Sequence, residues 1–317
     1  MRSLITGVNG FAGSHLADLL LAGNEEVAGV ARDPGKDGNI RHVRDRVRVV
    51  AGDVRDAGRL KQILRDVRPD RIYHLASVTF LPAVSGDWRA AFETVFFGTQ
   101  NLLEAVKETR PDARVLWVGS SEEYGLPPPE ELPVRETCPL RPISLYGAGK
   151  AAAEALVHSY VQRDTLDVVL ARPFNHIGPR QDGRFACASF ARQVAAISAG
   201  TPPVLKVGNL QAQRDFTDAR DTVRAYRALM EFGKSGEVYN VCSGQSLSVQ
   251  SLLDGLLKLI GVAVKVEIDP ERYRPEAPSK FYGDYSRLNR DTGWRPEISL
   301  ETTLRDLLRY WQNRAEN

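Results

Sequence analysis

The chain has 317 residues, 43% hydrophobic and 26% charged, enough to bury a large core around one α/β unit with a smaller lobe. Its 42 basic residues nearly balance 40 acidic ones, net +2, so no electrostatic case for nucleic-acid binding arises. Three widely separated cysteines (Cys138, Cys187, Cys242) form no disulfide or metal spacing, and no apolar run approaches the roughly 20 residues that span a bilayer; a cytoplasmic protein is expected.

Residues 2–13, RSLITGVNGFAG, open with an apolar run whose Ser3–Thr6 segment suits a buried strand. Gly7, Gly10 and Gly13 follow at once, and then a helical HLADLLLAG. A strand, a glycine turn and a helix in that order can seat a dinucleotide, the glycines beneath the pyrophosphate and the helix amides facing the phosphates. The second strand reading, VAGVAR, ends at Arg32, where an acidic residue would otherwise hold a ribose 2′-hydroxyl. A guanidinium favours a 2′-phosphate, so NADP(H) is preferred with NAD(H) possible; the alternative is a solvated arginine in a loop shared with Asp33 and Lys36.

The alternation continues through RLKQILRDV, RIYHLA, a helix over 87–109 and the strand RVLWVG. That strand runs into Ser120, Ser121 and Glu122, a polar corner at a strand end, where ligands gather in open α/β sheets. A serine hydroxyl there can hydrogen-bond a reacting carbonyl, and Glu122 can serve as acid, base or sugar contact; a simple turn cap is the other reading. Ser144-Leu-Tyr146-Gly-Ala-Gly-Lys150 then opens a helix over 146–163. Tyr146 and Lys150 share one helix face, and a nearby ammonium is expected to lower the phenol from about 10 toward working pH.

DVVLARP is the next strand, and Pro/Gly-rich stretches at 126–142 and 173–183 are expected to be loops bearing function. Beyond residue 176 the order changes to a helix near 184–199, extended pieces at 204–207 and 213–216, a helix from 218, and VYNVCS returning to the main sheet. The fold expected is α/β, a Rossmann-type doubly wound parallel sheet with a smaller, interleaved C-terminal substrate lobe. The dinucleotide domain takes residues 1–175 with 216–243 returning to it, and the lobe takes 176–215 and 244–317. His176 has no partners at ligand spacing, so no metal site is expected.

TGVNGFAG, Asp53-Val54 in AGDVRD, HLAS at 74–77, NLLEA at 101–105, GSSEEYG, YGAGK and RPFNHIGP at 172–179 together resemble the extended short-chain dehydrogenase/reductase family of nucleotide-sugar enzymes, over essentially the whole chain. The resemblance implies that Gly7, Asn9, Gly10, Phe11, Ala12, Gly13, Arg32, Asp53, Val54, Leu75, Ala76, Ser77 and His176 hold the cofactor together with Tyr146 and Lys150. Ser120, Tyr146, Lys150 and Glu122 become the catalytic set. Ser121, Glu122, Asn175, Lys206, Arg214 and Arg274 become the substrate contacts, and a homodimer is implied. KVGNL, QRDFTDARD, VYNVCSG, YRPEAP and TGWRPEI are most similar to members that reduce the C4 keto group of GDP-4-dehydro-6-deoxy-D-mannose, forming GDP-D-rhamnose. The GDP-mannose 4,6-dehydratases share the FNH and RDF pieces, and Arg180 matches them, so dehydration with Glu122 as base stays open. So does a non-catalytic nucleotide sensor.

Overall fold

The structure is a computed structural model and describes residues 1–79, 86–272 and 280–315. From the N-terminus run β1 (Arg2–Thr6), α1 (Phe11–Ala22), β2 (Glu26–Ala31), β3 (Val47–Ala51), α2 (Ala57–Val67) and β4 (Arg71–His74). Then come α3 (Trp88–Phe92), a π-helical stretch (Glu93–Phe97), α4 (Gly98–Thr109), β5 (Arg114–Val118), α5 (Leu145–Asp164) and β6 (Val168–Pro173). The remainder is β7 (Asn175–Ile177), α6 (Ala186–Ser198), β8 (Val204–Val207), β9 (Gln213–Arg214), β10 (Phe216–Asp218), α7 (Ala219–Phe232) and β11 (Val238–Val241). It closes with β12 (Leu247–Ser248), α8 (Val249–Ile260), β13 (Lys265–Ile268), β14 (Lys280–Phe281), α9 (Ser286–Thr292) and α10 (Leu300–Ala315).

Seven strands form one parallel sheet in the spatial order β11-β6-β5-β4-β1-β2-β3, the Rossmann-like order with a switch point between β1 and β4. The strands are apolar on both faces because both are covered. Leu4, Ile72, Val115 and Trp117 pack with α2, α4 and α5, whereas the neighbouring Ile5, Tyr73, Leu116 and Val118 pack with α1 and α7. A separate core of Phe190, Val194, Leu205, Leu253, Leu256 and Leu307 joins α6, α8 and α10 to β8. The chain crosses toward that core where β7 pairs with β10, and it returns to the sheet where β11 pairs with β6.

The continuous helix expected over 87–109 is corrected. Its middle is the π-helical stretch, whose Phe96 and Phe97 rings cluster with that of Phe92 just before it, and Gly98 just after it packs against Val54. One extra residue in a turn leaves apolar spacing almost unchanged, and such stretches often lie near functional sites. β3, an edge strand not read from sequence, has exposed Arg48 within VRVVA.

Candidate active site

The first turn of α1 is left open for an anion. Gly10 supplies no side-chain cap and the turn holds no carboxylate, so the amides of Phe11, Ala12 and Gly13 point outward with the positive end of the helix. Gly13 could be no other residue, since a Cβ would lie 2.2 Å from the Gly7 carbonyl oxygen. Across the switch point, Thr6 Oγ1 accepts from the Leu75 and Ala76 amides at 3.1 Å and pairs with His74 Nδ1 at 2.9 Å. This holds the 75–77 segment against the glycine turn. These residues fit a dinucleotide.

Asn9 Nδ2 donates to the carbonyls of Asp33 and Lys36, folding the loop after β2 over the turn. Arg32 stands exposed at the head of that loop, with no hydrogen bond or ion pair among the described residues. The Arg55 guanidinium grips Asp53 at 2.7 Å and holds its carboxyl below the usual range. Val54 is buried, and Asn101 Nδ2 donates to the carbonyls of Val54 and Arg55. Asn101 stood within the NLLEA motif but received no role from sequence. His176 stacks on Phe11 with ring centroids 5.6 Å apart, bringing β7 to the start of α1.

Tyr146, Lys150 and Ser120 come together at the C-terminal end of β5, all buried. Lys150 Nζ donates to the Val118 carbonyl at 2.6 Å and lies 5.1 Å from the Trp117 ring. Ser77 and Ser120 face the Tyr146 hydroxyl and favour its ionisation, but burial outweighs them and raises the phenol above its ordinary value. The expectation that Lys150 pulls Tyr146 toward working pH is therefore corrected. Lys150 is spent on Val118 and Trp117, and burial brings its own pKa down to about 8. Burial thus holds Tyr146 as a protonated phenol, a group that can donate a proton.

Glu122 Oε2 accepts from Ser144 Oγ at 3.1 Å, and Ser144 in turn caps α5 by accepting from the Gly147 amide. Ser121 beside it is buried. Arg214, half-buried, donates to the Gln213 carbonyl and faces the charge of Glu122, which opposes the lowering that burial imposes on the guanidinium. Asn175 Nδ2 donates to the Asp215 carbonyl across the β7–β10 pair. Lys206 is not brought into this group: its side chain is exposed on β8, with Glu267 as a charged neighbour. Arg274 lies outside the described residues. Arg180, read as a dehydratase-like feature, pairs with Asp18 at 2.8 Å, donates to the Asn39 carbonyl and contacts His15. It fastens the loop after β7 to α1 and the cofactor loop.

Residues 4–307 match the family described as GDP-mannose 4,6 dehydratase. The chain belongs to that family. A GDP-6-deoxy-D-mannose reductase of Pseudomonas aeruginosa is 33% identical over 315 residues, covering 99% of this chain and 98% of that one. GDP-mannose 4,6 dehydratase 1 of Arabidopsis thaliana is 32% identical, covering 94% and 86%. The solved structure of RMD from Pseudomonas aeruginosa complexed with NADPH superposes with a TM-score of 0.86 at 32% identity, each chain covered to 99%.

Proposed function

We propose that this chain is an oxidoreductase that uses NADPH, with NADH as a possible substitute, to reduce the C4 keto group of GDP-4-dehydro-6-deoxy-D-mannose to GDP-D-rhamnose. The observation that carries the reading is the buried, protonated Tyr146 with the Ser120 hydroxyl beside it, in a chain matched end to end by a reductase. When bound, the nicotinamide supplies a hydride. Tyr146 supplies the proton that the C4 oxygen needs, and Ser120 steadies that oxygen by a hydrogen bond. Lys150, anchored on Val118, sits one helical turn beyond Tyr146, where it can hold the cofactor ribose. In this reading the exposed Arg32 guanidinium meets the 2′-phosphate.

Glu122, oriented by Ser144, and Arg214 opposite it are the contacts for the sugar and the GDP phosphates in this reading, with Ser121 and Asn175 beside them. A guanidinium offers paired donors to phosphate oxygens. The lobe built on α6, α8 and α10 completes the substrate side, and a cytoplasmic homodimer is part of the same reading. Incubating the protein with NADPH and the keto sugar, and identifying the product by NMR, tests it. GDP-D-rhamnose is expected; its C4 epimer, or an unchanged sugar, would overturn the assignment.

A further inference from the structure

Glu123 follows Glu122 in the short turn of Ser121–Tyr124, yet the two side chains have different fates: Glu122 is half-buried and Glu123 has no exposed surface. Glu123 Oε1 accepts from the Ser120 amide at 2.6 Å. Gly119 makes room for it, because a Cβ there would stand 2.4 Å from that oxygen. Glu123 Oε2 receives no hydrogen bond from any described residue.

One guanidinium lies nearby, and it is committed elsewhere. Arg172 Nε and Nη2 donate to Glu154 at 2.8 and 2.5 Å, Nη1 donates to the Tyr124 hydroxyl at 2.8 Å, and Nε is 3.5 Å from Glu123 Oε2. Two buried carboxyls thus compete for one guanidinium, and the geometry awards it to Glu154. A carboxylate oxygen buried without a donor is strongly unfavourable, whereas a proton on it removes the charge and provides a donor.

We propose that Glu123 is a neutral carboxylic acid and a positioning residue: it pins the Ser120 backbone through Oε1, directs its proton from Oε2 toward Glu154, and presents no charge to Tyr146 and Lys150. The groups that face it are Tyr146, Lys150 and Glu154 on α5, Arg172 on β6 and Tyr124 on its own turn. Burial, and then the charge of Glu154, push the Glu123 carboxyl well above the usual range. Burial works against Glu154 as well, but hydrogen bonds from His158 and Arg172 keep it ionised. An ionised Glu123 would hold the Tyr146 proton more tightly, whereas the neutral acid leaves it available for transfer.

The kinetic part of this inference rests on the proposed reduction; the protonation state does not, so two measurements separate them. Infrared spectra of the purified protein at pH 7.5, about three units above the range in which ordinary carboxyls titrate, should contain a carboxylic-acid carbonyl stretch that Glu123→Gln removes. In turnover, Glu123→Leu should lower kcat about tenfold or more with little change in KM. Glu123→Gln, which keeps an oxygen for the Ser120 amide and a donor for Glu154, should recover most of that loss with the alkaline limb of the kcat/KM profile unmoved. Absence of the acid band, or a Gln variant whose alkaline limb moves down by about half a pH unit or more, would overturn the proposal. A protein that shows the band but reduces no keto sugar would refute the proposed function and leave the neutral acid standing.

Discussion

Lys150 Nζ donates to the Val118 carbonyl oxygen, tying the first half of α5 to the end of β5 one helical turn beyond Tyr146. The lysine therefore acts on the site from a fixed point. The phenol is kept protonated by burial and is suited to giving a proton away.

Replacing Tyr146 by Phe removes the donor and keeps the ring. Turnover should fall about 10²–10⁴-fold, with cofactor binding nearly intact. Steady-state kinetics beside a fluorescence titration with NADPH check this, and wild-type-like turnover would remove Tyr146 from the chemistry.

Arg32 lies exposed at the end of β2 beside the loop that Asn9 holds down. Arg32→Ala should raise the KM for NADPH much more than the KM for NADH, because only the former carries the 2′-phosphate. Equal changes in both would return Arg32 to an ordinary surface role.

Arg214→Gln keeps a polar side chain opposite Glu122 and discards the charge. It should raise the KM for the GDP-sugar about tenfold or more, leaving the KM for NADPH unchanged, since a charge-assisted contact to phosphate is worth about 1.5–3 kcal/mol. A parallel loss for both substrates would place the residue in the fold instead.

Two buried histidines give stability a pH dependence. Burial, followed by the Arg180 charge, brings His15 down to about 4, and burial, followed by Lys150, brings His74 down to about 3. Their folded values lie below the unfolded value of about 6.5, so the unfolded chain binds the protons first. The stability from keeping both neutral is complete above about pH 6.5 and is lost as pH falls toward 4 and then 3, by up to about 1.4 kcal/mol per pH unit for each group. Urea denaturation at several pH values should show that slope, shallower in His15→Gln.

The glycine turn, the strand alternation and the Tyr146/Lys150 pair are legible because each is a local pattern: three glycines after RSLIT, apolar runs spaced by helices, and a four-residue interval. What sequence conceals depends on distant partners. Glu122 and Glu123 are adjacent identical letters, and only the packing of Gly119, Glu154 and Arg172 tells them apart. Arg180 resembles a catalytic-family signature until Asp18, His15 and Asn39 are seen to occupy it. The tyrosine's pKa is concealed for a similar reason, since spacing shows that a lysine is near but not that the Val118 carbonyl has taken it or that burial dominates the phenol.

Cofactor stoichiometry tests the central claim most directly, because an internal redox cycle returns its hydride to the sugar and a net reduction does not. Purified protein given GDP-4-dehydro-6-deoxy-D-mannose should consume one NADPH for each sugar converted, and given GDP-mannose with NADP⁺ it should form little or no 4-keto product. Sustained conversion of GDP-mannose with no net change in NADPH, abolished by Glu122→Gln, would contradict the account and make the chain a dehydratase.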